Sequence, residues 1–487
     1  MDRARQLPGE GRKHDRCHGI AAMGPHRFVR AAWVTRAGGY RRHVRSASGD
    51  TPARKGPRVN ALLGTWAVAL GLAVGLAGCS GGAAHRQAAA PRGVSRAAAL
   101  PRDGLSPAQA WAAYDLGPLL RAGINGKGQT IAIVDPFGSP TIAHDVAVFD
   151  KRFGLPPLSL RVIQPAGAVS RYRPTQARIS AAGETTLDVE WAHAMAPGAK
   201  ILLVETPAAE NEGRSGFPQI IKAEKYVVRH RLAGVISQSF GATEPTFRSS
   251  AVIQALRGAY RLAAKPGYRV TVLASTGDSG AAGVTYSTRS FFTTPEVSWP
   301  ASDPLVTAVG GTQLAPAGGG TPSGPGQAWS GSGGGRSAVF TRPAYQSGVA
   351  GVVGQHRGIP DISMDASCAS AAAVYGNNGS YPSGRSGWST ACGTSLAAPM
   401  FAGIVALAAQ RAGHTLGVIN PALYRMAARH APGIVDVVHG DNGFTFSSHG
   451  QTHVVPGFHA QRGYDLISGL GTIDAAQFVP ELAKAAG

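Results

Sequence analysis

Residues 391–399, Ala-Cys-Gly-Thr-Ser-Leu-Ala-Ala-Pro, open an apolar run that continues to Gln410 and favours a buried helix. Ser395 falls where this helix begins, directly after a strand-like segment. The first turn of a helix has unbonded backbone N–H groups and the positive end of the helix dipole, and both would stabilise an oxyanion beside Ser395. The alternative is that Thr394 or Ser395 only caps the helix, as small hydroxyl residues commonly do.

Two acidic residues upstream lie at helical spacing. Glu184 and Asp188 are i,i+4 neighbours in an apolar, helix-forming stretch that Pro197 and Gly198 end. Buried together, the two carboxyl groups would share a proton and one pKa would rise, which gives a general base and a residue that orients it. On a solvated helix the same pair would only repel each other.

A third acid, Asp278, follows the β-forming run at residues 268–274, in a turn between two glycines. Such an Asp often bonds only to its own backbone. At the carboxyl end of a parallel strand, however, it would lie where open α/β sheets place their active sites. Protonated, Asp278 could donate a hydrogen bond to an oxyanion, so the acids and the serine together indicate hydrolysis at acidic pH.

Five ordered motifs in the chain resemble those of the sedolisins, a serine-carboxyl peptidase family that has the subtilisin fold but uses Glu and Asp where subtilisins use Asp and His. They are Glu184-Thr-Thr-Leu-Asp188, Ser275-Thr-Gly-Asp278-Ser-Gly, Trp299-Pro-Ala-Ser-Asp303-Pro with Gly310-Gly311-Thr312, Gly358-Ile-Pro-Asp361, and Gly393-Thr-Ser395-Leu-Ala-Ala-Pro399. The resemblance implies that Ser395 is the nucleophile and Glu184 its general base. It also implies that Asp188 orients Glu184 and that Asp278 completes the oxyanion hole.

The catalytic base sets the expected pH range. A carboxylate remains competent where imidazole is protonated, so the predicted optimum is acidic. Two alternatives stay open. One is a neutral serine hydrolase with His193 as base, although neither His193 nor His144 lies in a subtilisin-like His-Gly-Thr-His context. The other is a catalytically silent binding or scaffold protein with the same fold.

The carboxyl-terminal region resembles the calcium loop of the same family. The resemblance implies one structural Ca2+ held by oxygen ligands from two loops, which suits a hard cation. The candidate ligands are Asp436, Val437, Gln461, Gly463 and Asp465. Gln461 stands where the family has glycine, so the two aspartates are the better candidates, and two ordinary loop aspartates are the alternative.

Two further positions depart from the family pattern. Asp135, after a predicted strand, stands where relatives often carry an acid that extends the Glu/Asp network, and we expect its shorter side chain to reach less far. Phe240 stands in a segment that often contains a Trp, and it cannot donate an indole hydrogen bond.

The chain has 487 residues and a formal net charge of +20. Residues 1–60 contain 14 Lys or Arg and 4 Asp or Glu residues, a net charge of +10, so half of the excess lies ahead of the predicted mature protein. We interpret residues 1–58 as a basic leader that is disordered, or as the result of a translation start assigned too far upstream. We expect no nucleic-acid partner.

The sequence of residues 59–79 is typical of an export signal, with an apolar core that ends in Leu-Ala-Gly-Cys79. This end resembles a bacterial lipoprotein box, so we expect an exported protein that a lipid on Cys79 tethers to the outer face of the membrane, with a secreted protein as the alternative. We expect residues 80–104 to be a linker, which would leave no room after Cys79 for the prodomain that sedolisins commonly carry.

The peptidase-like region covers residues 105–487. Strand-like runs at 129–134, 200–205, 233–237, 268–274 and 305–309 alternate with helical stretches such as 217–231 and 250–264. This order predicts an α/β fold with a doubly wound, mostly parallel sheet and helices on both faces. We expect a monomer that acts on polypeptide substrates. In an oxidising environment Cys368 and Cys392 could form a disulfide or remain free thiols.

Overall fold

The computed structural model describes residues 104–210, 215–285, 290–315, 324–377 and 386–487. Its strands are β1 Thr130–Pro136, β2 Leu160–Ile163, β3 Lys200–Thr206, β4 Val235–Gln238, β5 Ala242–Thr243, β6 Thr271–Ser275, β7 Ala282–Thr285, β8 Ser290–Pro295, β9 Ser298–Trp299, β10 Thr307–Leu314, β11 Pro325–Ala328, β12 Gly335–Thr341, β13 His356–Ile359, β14 Ile362–Asp365, β15 Ala372–Gly376, β16 Gly387–Ala391, β17 Ile434–Val435, β18 Phe444–Ser448, β19 Gln451–Val455 and β20 Thr472–Ile473. Its helices are α1 Pro107–Ala113, α2 Gly117–Arg121, α3 Ile142–Phe153, α4 Gln176–Met195, α5 Phe217–Arg229, α6 Ser250–Leu256, α7 Gly258–Ala263, α8 Ala350–Val353, α9 Thr394–Ala412, α10 Asn420–Ala428 and α11 Ala475–Ala485. The predicted leader, the signal segment with Cys79 and the linker up to residue 103 lie outside the described residues.

A mostly parallel sheet with the strand order β2-β3-β1-β4-β6-β10-β11 forms the centre of the fold, and β14 also pairs with β10. β1 pairs in parallel with β3 and with β4, so that Ile131 lies opposite both Ile201 and Val235. Strands that are buried on both faces read as continuous apolar runs, which is why these segments stood out in the sequence. The predicted doubly wound α/β architecture is confirmed.

The two faces of the sheet carry separate apolar cores. One contains α4, α9 and α11, with Trp191 and Phe401 fully buried. The other contains α5, α6 and α7 around Phe217 and Trp299, whose ring centroids lie 4.9 Å apart. The helices therefore cover both faces of the sheet. Side chains on α4 and α9 can meet each other, whereas those on α5 and α6 lie on the opposite face.

Helix α9 is apolar around almost its whole circumference. Among the described helices it is the one long and apolar enough to cross a membrane, with a mean hydropathy of 1.3, but 78% of that window is buried inside the protein. A helix that is apolar on all sides is buried in a core, and α9 packs between α4 and α11. The apolar composition of α9 thus reflects its burial in the centre of the protein.

Two predicted segments differ from the structure. The expected helix over 250–264 is divided into α6 and α7, because Arg257 leaves the helical conformation before Gly258, a poor helix former. The Gly- and Ser-rich composition of residues 318–335 predicts a flexible surface loop, but Pro325–Ala328 form β11, which pairs antiparallel with β10. Pairing with the edge of the sheet supplies hydrogen bonds that the local sequence does not reveal.

Candidate active site

Ser395 is the second residue of α9, which starts after β16 and Gly393. In this first turn the N–H of Thr394 bonds Asp278 and that of Leu396 bonds the Gly393 carbonyl, whereas the N–H of Ser395 has no hydrogen-bond partner among the described residues. The helix dipole also places positive charge beside the serine. The side chain of Ser395 is only partly exposed. A substrate carbonyl that reached Ser395 would therefore meet a backbone N–H donor that is already oriented.

Glu184 lies on α4, which packs directly against α9, and its carboxyl group is close enough to the Ser395 side chain for a hydrogen-bonding interaction. Burial raises the pKa of Glu184 to about 8; repulsion from Asp135, Asp278 and Glu210 adds to the rise, and the interaction with Ser395 opposes it. A carboxyl group in contact with a hydroxyl group, with a raised pKa, is suited to accept the proton of that hydroxyl group.

Asp188 lies one helical turn further along α4 and is completely buried. Burial raises its pKa well above the usual range, and repulsion from Asp135 and Glu184 raises it further. Ser239, just after β4, donates a hydrogen bond of 3.0 Å to Asp188 Oδ1 and one of 3.4 Å to the carbonyl of Ser395. Ser239 thus connects the acid pair to the backbone of the candidate nucleophile.

Two more acids surround this pair. Asp135, near the end of β1, is 1% exposed, and burial raises its pKa to about 7. Glu210 follows β3, and burial together with repulsion from Asp135 raises its pKa to about 8. Neighbouring carboxyl groups cannot all be ionised in one buried space, so the cluster retains protons at pH values where isolated carboxyl groups have lost theirs.

Asp278 lies across the candidate cleft, in the turn after β6. Its Oδ1 accepts hydrogen bonds from the backbone N–H of Thr394 at 2.7 Å and from the Thr394 hydroxyl group at 2.8 Å. The residue as a whole is exposed, yet desolvation of its carboxyl group raises its pKa while the Thr394 bonds lower it. Solvent that reaches the carboxyl group reduces this rise. With Oδ1 engaged, Oδ2 is the oxygen that can carry a proton towards a substrate.

Gly393 explains why Asp278 can approach α9 so closely. Its φ of +109° disfavours any other residue, and a Cβ at this position would lie 2.5 Å from Asp278 Oδ2. Thr394, considered above as a helix cap, instead donates to Asp278 and accepts a hydrogen bond from the Gly277 N–H at 3.0 Å. The helix start and the turn after β6 therefore form one hydrogen-bonded unit.

His193 lies away from these groups. Its Nε2 is 3.2 Å from Asp150 Oδ1 and 3.0 Å from the carbonyl oxygen of Pro156, and the ring is fully buried against α3. The structure thus gives no support to His193 as the base for Ser395. Phe240 packs in the aromatic core with Phe217, at a centroid distance of 6.4 Å.

Cys368 and Cys392 form a disulfide, with their Cα atoms 5.0 Å apart. Cys368 begins a short 3-10 helix that ends at Ser370, and Cys392 lies between β16 and Gly393. The bond thus joins the approach to the serine turn to the segment after β14.

The two loops of the predicted calcium site lie side by side. Asp436 Oδ2 accepts a hydrogen bond of 2.8 Å from the Gly463 N–H. Asp465 is buried, and its carboxylate accepts bonds from the N–H groups of Gln461, Ile467 and Ser468 at 3.0, 3.0 and 2.7 Å. Asp436 and the loop carbonyls, including those of Val437, Gln461 and Gly463, are suitable ligands for a hard cation. Asp465, in contrast, already serves as the acceptor that closes its own loop.

The structure brings Glu184, Asp188, Asp278 and Ser395 together as one site. Sequence reasoning did not assign functions to Ser239, Glu210 or the Thr394 hydroxyl group. Ser239 and Glu210 follow parallel strands at their carboxyl ends, and this position was a usable signal for both.

The sequence matches the Subtilase family (peptidase S8) over residues 176–452. It is 30% identical to kumamolisin of Bacillus sp. (strain MN-32) over 370 residues, which cover 72% of this chain and 59% of that protein. It is also 30% identical to sedolisin of Pseudomonas sp. (strain 101) over 359 residues, which cover 72% of this chain and 57% of that protein. The chain thus spans somewhat less than three fifths of the length of these relatives.

Among solved structures, the fold resembles that of Pseudomonas sedolisin, a serine-carboxyl proteinase complexed with two molecules of pseudo-iodotyrostatin. The TM-score is 0.64 at 26% sequence identity, and the match covers 79% of this chain and 99% of the other. This similarity confirms the predicted subtilisin-like architecture.

Proposed function

Because this chain belongs to the subtilase family, we propose that it is a sedolisin-type endopeptidase that hydrolyses polypeptides at acidic pH. The observation that carries this proposal is the close approach of the Ser395 side chain to Glu184, a carboxyl group whose pKa burial has raised. A catalytically silent scaffold would not need a nucleophile in contact with a buried acid.

The proposed reaction passes through an acyl-enzyme. Glu184 accepts the Ser395 proton while the serine oxygen attacks the peptide carbonyl, and Asp188 shares the charge that the pair acquires. The oxyanion is held by protonated Asp278 and by the backbone N–H of Ser395 at the start of α9. Glu184 then returns the proton to the leaving amine, and a water molecule repeats the sequence to release the acid product.

The pH range follows from two requirements of opposite sign. One proton must leave the cluster so that Glu184 can act as a base, whereas Asp278 must keep its proton to act as a donor. Burial is the main cause of the raised pKa of Glu184, and repulsion from Asp135 and Glu210 adds to it, so protonation of these two neighbours in acid removes that repulsion and makes Glu184 easier to ionise. Activity should therefore rise with the first ionisation of the cluster and fall as Asp278 loses its proton.

A pH profile of casein hydrolysis with purified protein tests the assignment. We expect a bell-shaped profile with an acidic maximum, and loss of activity in Ser395→Ala and Glu184→Gln variants whose circular dichroism is unchanged. His193→Gln is the matched comparison, because it preserves a side chain able to bond Asp150 and should keep the acidic profile. Full activity of either active-site variant, or a neutral optimum that His193→Gln abolishes, would overturn the proposal.

We also propose that the protein is exported and tethered through a lipid on Cys79, as the Leu-Ala-Gly-Cys end of the signal segment suggests. The Cys79→Ser variant should then leave the membrane fraction. An unchanged distribution between membrane and soluble fractions would contradict the tether.

One structural calcium ion completes the proposal. Asp436 would be the principal carboxylate ligand, with backbone carbonyls of the neighbouring loops, and the ion would stabilise the contact that Asp436 makes with Gly463. Asp465 would act mainly through the loop conformation that its carboxylate maintains.

A further inference from the structure

A groove of about 780 Å³ lies between α5 and α6, away from the candidate active site. Helix α5 belongs to the core on one face of the sheet, whereas α9 and Ser395 belong to the other. The groove is therefore separate from the catalytic cleft. Its volume falls in the range of sites that hold small ligands or short peptide segments.

The groove has a cationic rim. Lys222, Lys225 and Arg229 recur at helical spacing along one face of α5, and His230 follows them. None of the residues that line the groove is acidic. Nor does any acidic side chain of the described residues form a salt bridge with these three cations.

Contacts position part of this rim. Lys222 Nζ donates to the carbonyl of Ala166 at 3.2 Å, which draws the side chain towards one edge of the groove. The Tyr226 and His230 rings lie 4.0 Å apart, with His230 Nδ1 2.9 Å from the Tyr226 carbonyl. Tyr226 is 41% exposed, unusually open for a large aromatic side chain in this protein.

The floor of the groove is apolar. Ile221 and Leu256 are buried there, and Val252 is half-buried beside them. A bound segment would therefore need aliphatic side chains for the floor as well as anionic groups for the rim. Helix α5 has 13 residues and is about 20 Å long, which an extended peptide of about six residues would match.

We propose that this groove is an exosite that binds a segment of the polypeptide substrate rich in acidic and aliphatic residues; this inference rests on the proposed peptidase function. Carboxylates of the segment pair with Lys222, Lys225 and Arg229, and its aliphatic side chains cover the apolar floor. A concave groove suits an extended chain better than a flat membrane surface. The exosite raises the local concentration of acidic substrates without contact with the reacting bond.

Equilibrium binding tests the exosite independently of catalysis. The full chain carrying Ser395→Ala is titrated with a fluorescein-labelled peptide of alternating Asp and Leu, at about pH 5.5, where free Asp carboxyl groups are ionised. Combining this change with Lys222→Glu, Lys225→Glu and Arg229→Glu should weaken binding about tenfold or more. A control with Lys151→Glu, Arg161→Glu and Lys200→Glu makes the same change in net charge at exposed positions outside the groove and should bind like the parent.

Three results would overturn the proposal: equal affinity of the two triple variants, equal binding of a peptide in which Asn replaces Asp, or groove-dependent binding of phosphatidylglycerol vesicles with none of the acidic peptide. In otherwise unchanged protein, the groove variant should raise KM for an acidic protein substrate while kcat for a short neutral peptide stays the same. A protein that binds the acidic peptide through the groove but hydrolyses nothing would reject the peptidase function and leave the binding site standing.

Discussion

Gly393→Ala perturbs the contact between the start of α9 and Asp278 without replacing any of the four proposed catalytic residues. The new Cβ would lie 2.5 Å from Asp278 Oδ2, 3.1 Å from its Cγ and 3.3 Å from its Oδ1. All three atoms belong to one carboxyl group, which must rotate or withdraw. Its hydrogen bonds to Thr394 would then weaken.

Two effects should add in this variant. An alanine at the φ of +109° and ψ of 166° of Gly393 costs about 1–3 kcal/mol of folding free energy. Displacement of Asp278 removes one oxyanion donor, which in enzymes of this kind lowers kcat by about 10²–10³-fold. The loss of activity should thus be much larger than the loss of stability alone predicts.

Gly413→Ala is the matched control. Gly413 ends the same helix with a φ of +76°, and a Cβ there would meet no heavy atom within 4 Å. Both variants should lower the melting temperature, but only Gly393→Ala should lower kcat for peptide hydrolysis at the acidic optimum. If folded Gly393→Ala retained kcat within about threefold of the parent, the oxyanion role of Asp278 would be refuted.

Four further outcomes are expected. Ser239→Ala removes a hydrogen bond that lowers the pKa of the acid pair, so the rising limb of the pH profile should move to higher pH and kcat should fall about tenfold; an unmoved limb would count against the coupling. Cys368→Ser, or reduction of the Cys368–Cys392 bond, should destabilise the protein by about 3 kcal/mol in urea unfolding, because the bond closes a loop with a sequence separation of 24. EDTA should lower the melting temperature of the parent but not that of Asp436→Asn, and an identical response of both proteins would exclude a calcium site at Asp436. Burial raises the pKa of Glu224 well above its usual range, so the folded protein holds this proton more tightly than the unfolded chain does. The resulting stabilisation is fully present below the unfolded pKa of about 4.5 and is lost as pH rises, at up to about 1.4 kcal/mol per pH unit. Glu224→Gln should therefore flatten the decline in the free energy of unfolding between acidic and neutral pH.

The order of strands and helices could be read from the sequence because it depends on local patterns. Continuous apolar runs marked β1, β3 and β6, and the apolar run after Ser395 marked α9. The motifs around Glu184 and Ser395 also pointed to the same residues that the structure brings into contact. The strand β11 escaped prediction because its pairing partner lies outside its own segment.

The sequence alone thus determined the fold class and the candidate acids and serine, since periodicity and motif order are properties of neighbouring residues. Only the tertiary structure decided which carboxyl groups share protons, that Ser239 bonds the acid pair, that Thr394 bonds Asp278, and that His193 faces Asp150. These facts depend on distances between distant segments; Thr394 and Asp278, for example, are 116 positions apart in the chain. A shifted pKa requires burial and neighbouring charge, and both arise only when the chain has folded.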